Sequence, residues 1–142
     1  MKLDDGEARR RLAVHDHAVL CTLHPERGSD PVPVVYALDT DGYVGIPVDQ
    51  VKPKASTRLR REANLEHDPR ATLLIEQWDR SDWGRLWWVR AELEWVPNAS
   101  AQRCDELAAL LAGRYPQYRD RPFERVVVLR LRSVYGWAAQ TD

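Results

Sequence analysis

Short apolar or alternating runs, interrupted by three stretches at helical spacing, set the pattern of this 142-residue chain. Asp4 with Glu7 three residues on reads as a capping box, and Ala8 and Leu12 give the helix that follows an apolar side. AVLCTL (18–23) is a short, largely apolar run and predicts a buried strand. HPERGSDP (24–31) is a loop by composition. VPVVYAL (32–38) predicts a second strand, which Pro33 places at an edge or near its own start. Asp41-Gly42 marks a hairpin turn, and YVGIPV (43–48) returns from it. A helix is predicted over 54–66, with Ala55, Leu59 and Ala63 inward and Asp68-Pro69 as its stop. Strands follow at 71–78 and 85–96 around the polar loop 79–84. Ser100 caps a third helix whose Cys104, Leu107, Ala108 and Leu111 share a face. The segment 115–124 is a loop, and 126–134 is the last strand.

The order is α β β β α β β α β. Six strands joined mostly by hairpins argue for a mainly β, α+β fold: an antiparallel sheet closing into a small barrel with helices outside. The βαβ alternation is not sustained, so a doubly wound fold is disfavoured. The length suits one domain spanning 1–142.

Composition adds bounds. An apolar fraction of 44% and a charged fraction of 30% are those of a globular protein. No apolar run approaches the ~20 residues of a membrane span. The start, MKLDDGEARRR, is acidic early and lacks the apolar centre of a secretory signal. Cys21 and Cys104 form neither a CxxC nor a disulfide framework, which points to the cytoplasm.

Charge patterning changes the picture most. Lys52, Lys54, Arg58, Arg60 and Arg61 fall within ten positions with no acid among them, on a chain of net charge −1. A local cation cluster on a nearly neutral protein points to a specific anionic group. If the helix starts near Pro53, then Lys54, Arg58 and Arg61 lie at i, i+4 and i+7, beside free N–H groups at the positive end of the helix dipole. Charge alone leaves a second reading open, a solvated helix face on which Arg58 pairs with Glu62. Trp78, Trp83, Trp87 and Trp88 lie within eleven residues. Adjacent Trp87 and Trp88 face opposite sides of a strand, so one suits the core and the other a dimer interface or a ligand platform. The seven glycines form no GxGxxG and no P-loop. His15 and His17 form one HxH pair with no third ligand nearby in sequence, and read as structural or surface residues with no metal site. No GxSxG and no Cys/His nucleophile pattern is present. The near-neutral charge and the lack of an RNA-recognition motif disfavour nucleic acid as a partner.

These residues resemble a known family. DPVPVVYALD (30–39), VKPKASTRLRREANLEHDPRATLLI (51–75), WDRSDWGRLWWVRAELE (78–94), RYPQY (114–118) and VYGWAA (134–139) are similar to the pyridoxamine 5'-phosphate oxidase-like split β-barrel flavoproteins. More narrowly they are similar to the subgroup of coenzyme F420-dependent oxidoreductases. The resemblance implies a six-stranded split barrel, a homodimer, and a cofactor in a groove between subunits. It implies that Lys52, Lys54, Arg58 and Arg61 hold the cofactor phosphate. The ring system would lie along Val34, Val35 and Tyr36, and the Trp-rich region, with Trp78 and Trp88, would complete the site. Relatives often carry a glycine soon after WVR, where this chain reads Ala91-Glu92-Leu93-Glu94.

The implied function is hydride transfer between a deazaflavin and a small organic substrate, with no dedicated catalytic acid or base. Cations in excess of one phosphate favour coenzyme F420 over FMN. An FMN-binding oxidoreductase of the same fold, or a non-catalytic F420 carrier, remains the alternative.

Overall fold

A computed structural model of the chain describes residues 1–49 and 60–140. Helix α1 (Asp5–Val14) begins where Asp4 accepts a hydrogen bond from the Glu7 N–H at 2.8 Å. Only that half of the expected capping box forms. The Glu7 carboxylate turns to Arg10 and Arg11 instead.

Strands β1 (Ala18–His24) and β2 (Gly28–Val34) form a hairpin in full register, from Ala18 opposite Val34 to His24 opposite Gly28. The expected loop 24–31 is therefore half strand. The reason lies in His24, whose Nδ1 accepts from the N–H groups of both Glu26 and Arg27 at 3.1 Å and closes a tight turn. Gly28 then takes φ +83°, which costs a residue without Cβ nothing. Pro31 and Pro33 are tolerated because β2 is an edge strand. The expected strand 32–38 breaks at Val35-Tyr36, and its remainder is the two-residue β3 (Ala37–Leu38). The sheet thus has seven strands where the pattern predicted six.

After β3 come β4 (Tyr43–Asp49), α2 (Arg60–His67), β5 (Arg70–Gln77), β6 (Trp87–Trp95), α3 (Ala101–Arg114) and β7 (Phe123–Ala138). The strand order is β2-β1-β5-β6-β7-β4-β3, every pair antiparallel. Strand β7 bridges the two halves: its first part pairs with β4 and its second with β6. A register shift between Glu92 and Leu93 interrupts the β6–β7 ladder.

The concave face carries the core. Leu20, Leu73, Ile75, Val89, Leu93, Leu129, Val44 and Ile46 meet there, and Leu12 of α1 and Leu65 of α2 plug it. Helix α3 packs Leu107 and Leu111 against the β3–β4 end of the sheet. Its approach is close enough that a Cβ on Gly45 would lie 2.8 Å from the Leu107 Cβ. Among the described residues no helix is long and apolar enough to cross a membrane.

Candidate functional site

Helix α2 is tied to the sheet by polar contacts on three sides. The Asn64 side chain, 1% exposed, donates from Nδ2 to Thr22 Oγ1 and to Asp30 Oδ2, both at 2.9 Å. The Asn64 bond, with Arg27 nearby, holds the Asp30 carboxyl below the usual carboxylate range against partial desolvation. Arg60 Nη1 lies 3.1 Å from His24 Nε2. On the far side, Arg125 of β7 donates through Nε to Glu62 at 2.9 Å.

Arg61 sits inside this frame. Its side chain is half-buried, and Nη2 donates to the Pro47 carbonyl at 3.3 Å. Nε is buried and, among the described residues, has no hydrogen-bond partner. Desolvation is the largest influence on the guanidinium and lowers its pKa. Arg61 is therefore not on a solvated stripe: the helix turns it toward the end of β4. Lys52, Lys54 and Arg58 lie outside the described residues, as does the first part of the predicted helix 54–66.

The remaining predicted residues occupy separate places in the fold. Val34 is buried on the concave face and Val35 is half-buried. The Tyr36 ring is fully buried and its hydroxyl donates to the Leu12 carbonyl, so its side chain is core. The Tyr36 carbonyl is taken as well, by Arg114 Nη1 and by the Tyr115 hydroxyl, both at 3.1 Å. Trp78 stands just past β5, 61% exposed, edge-on to Trp83 at 6.3 Å.

Trp87 and Trp88 diverge as strand alternation requires. Trp87 packs on the core, and Trp88 lies on the convex face, stacked on Tyr135 at 5.5 Å. The Arg90 guanidinium covers both rings, 5.5 and 5.7 Å from their centroids. Next to this cluster on the same face, Val19 pairs across strands with Leu74, each 37% exposed. Sequence reasoning missed Asn64 and the Arg114 clasp, because their partners are 34 to 99 residues away. It also passed over His15, Asp16 and His17 as a group, whose potential ligand atoms lie within 4.8 Å of one another. The Asp16 carboxylate there already accepts a 2.7 Å contact from His17 Nδ1.

No protein-family model matches the chain, and no curated protein does. Solved structures do. A conserved hypothetical protein of Mycobacterium tuberculosis is 21% identical with a TM-score of 0.72, over 97% of this chain and 86% of that one. An FMN-binding protein of Syntrophomonas wolfei is 12% identical with a TM-score of 0.68, over 96% and 90%. The heme storage protein HutZ of Vibrio cholerae is 12% identical with a TM-score of 0.61, over 91% and 89%. At these identities the likeness shows the fold alone, that of split-barrel proteins; among the described residues the antiparallel sheet runs from edge strand β2 to edge strand β3 and does not close into the expected barrel.

Proposed function

We propose that this chain is a cytoplasmic, homodimeric protein that binds coenzyme F420 and transfers hydride between it and a small organic substrate. One observation carries the reading. Arg61 holds a buried guanidinium donor that has no partner among the described residues, at the end of a segment with four further cations. Leaving a buried donor unmatched costs about 1–3 kcal/mol, and more for a charged group. An anionic oxygen placed there removes that penalty, so the residues present fit a phosphate.

Arg61 would hold the phosphate together with Lys52, Lys54 and Arg58. A deazaflavin, when bound, supplies a carbon-centred hydride carrier. The protein's own task is then to bind the anion, orient the ring and exclude water. Cations beyond the needs of one phosphate support F420 over FMN. The likeness to an FMN-binding protein supports FMN as the alternative. Two free cysteines in unrelated settings suit a reducing compartment. The convex face around Val19, Leu74 and Tyr135 suits a second copy of the chain, because it exposes apolar side chains on β1, β5 and β7.

Titrating purified protein with coenzyme F420, FMN, riboflavin and heme, followed by fluorescence and absorbance, tests the reading. F420 is expected to bind most tightly and riboflavin most weakly, with salt weakening F420. Tight heme binding with no flavin or deazaflavin binding would overturn it. Turnover of reduced cofactor by a reducible substrate then separates enzyme from carrier.

A further inference from the structure

Between α1 and the ends of β5 and β6 lies a cleft of about 590 Å³ that the cofactor reading leaves unused. Its volume is that of a small-molecule site. Arg10 and Arg11 come from α1, Arg85 from the turn before β6, and Gln77 from the end of β5; Trp87 and His15 form the floor. None of the lining residues is acidic.

The cations are held at defined positions. The Arg11 guanidinium lies 4.9 Å from the Trp87 ring centroid and is anchored by its Nε to Glu7 at 2.8 Å. His15 meets the same ring edge-on at 5.4 Å. Arg10 shares Glu7, so one carboxylate faces two guanidiniums. Arg85 reaches Asp79 only at 3.4 Å, longer than a strong charge-assisted bond. Three cations thus have two acids between them, and the surplus faces the cleft. Gln140 completes the wall. Its amide packs so tightly on Gly84 that a Cβ there would meet Nε2 at 2.8 Å, so the glycine admits the side chain.

We propose that this cleft binds a small organic oxyanion, a carboxylate or a phosphate ester. Arginine forks match either group bidentately. The carboxamides of Gln77 and Gln140 supply both donors and acceptors for neighbouring carbonyl or hydroxyl groups. The site is distinct from the anion position at Arg61, since Trp87 and Gln77 belong to the strand ends beneath α1 while Arg61 lies on α2 beside β4.

Calorimetric titration of citrate, and separately of inorganic phosphate, tests it on wild type, on Arg85→Ala and Arg11→Gln, and on Arg132→Ala, an exposed arginine of β7 that does not line the cleft. Arg85 stands on an exposed turn, so its variant keeps the fold, which a melting curve verifies. At least one anion should bind saturably to wild type. Arg85→Ala and Arg11→Gln should each weaken it about tenfold or more. Arg132→Ala should stay within about twofold, below one charge-assisted contact. Binding of citrate alone assigns a carboxylate ligand, and of phosphate alone a phosphate ester. The proposal is overturned if neither anion binds saturably at millimolar concentration. It is equally overturned if Arg85→Ala and Arg11→Gln bind like wild type, or if Arg132→Ala weakens binding as much as they do.

Discussion

Asn64 on α2 donates to the Asp30 carboxylate on β2 at 2.9 Å, and this contact ties the helix bearing Arg61 to the edge of the sheet. The same nitrogen serves Thr22, so one buried amide spans two strands and a helix.

Replacing Asn64 by Leu should leave the Thr22 hydroxyl without this partner in a buried setting. The expected loss is about 1–3 kcal/mol, or a fall in melting temperature of roughly 3–12 °C for a domain of this size. Thermal unfolding of the variant beside wild type measures it. An unchanged midpoint would show that the contact does not anchor the helix.

The Arg114 fork clasps two distant backbone segments, donating to the carbonyls of Tyr36 and His15. Arg114→Ala should cost about 1.5–3 kcal/mol, the worth of hydrogen bonds to a charged group. Arg114→Lys should recover only part, because a point charge cannot serve both carbonyls at once. Denaturant midpoints of the three proteins decide it; full recovery by lysine would refute the fork geometry.

His15 gives a pH dependence with a definite sign. Burial lowers its pKa from the ordinary 6.5; Asp16 and Glu76 oppose the shift, while His17 and Arg114 reinforce it. The unfolded chain therefore binds the proton more readily than the folded one. His15 contributes its stability above pH 6.5, and that contribution is lost as the pH falls through the lower folded value. His15→Gln should flatten the stability profile just below pH 6.5, read from denaturant midpoints across the range. A profile as steep as wild type in that window would assign the effect to other groups.

For the proposed cofactor, Lys54→Ala and Arg61→Met should each weaken coenzyme F420 by about ten- to a hundredfold, the worth of a charge-assisted contact to phosphate. Arg9→Ala, an exposed cation on α1, should not. The half-buried setting of Arg61 adds a second outcome. Methionine keeps the apolar stem and removes a desolvated charge, so the empty protein should melt no lower than wild type. If Arg9→Ala weakens binding as much as Lys54→Ala, the effect is general electrostatics.

The proposed dimer has its own test at the cross-strand pair Val19 and Leu74. Sedimentation at micromolar concentration should give a dimer for wild type. Leu74→Lys should shift it toward monomer, because a desolvated ammonium at an apolar face has no partner. A monomeric wild type that still binds cofactor would exclude a groove shared between subunits.

The elements themselves were largely legible in the sequence. Asp4 and Ser100 cap the helices they were expected to cap, accepting from the N–H groups of Glu7 and Arg103. The strands β5 and β6 fall close to the predicted 71–78 and 85–96, β7 contains the predicted 126–134 but runs on from Phe123 to Ala138, and Trp87 and Trp88 part to opposite faces. Caps and strand alternation are decided within a few residues, so neighbouring sequence suffices to read them.

Where a local rule met a longer-range contact, the contact won. Composition made 24–31 a loop, yet pairing with β1 and the His24 cap turn its second half into strand. The helix pattern set Arg61 on an outward stripe, yet α2 packs against β1 and the Arg61 guanidinium turns in to donate to the Pro47 carbonyl of β4. The run Arg9-Arg10-Arg11 was visible as charge, but only the fold places Arg10 and Arg11 opposite Arg85, some 75 residues on, around one cleft. The chain by itself determined caps, strand faces and the order of elements, because those depend on side chains a turn or a strand apart. Which cations converge, which are desolvated and which keep their partners was settled by the tertiary structure alone, because charge acts through space and burial, and neither is written in spacing along the chain.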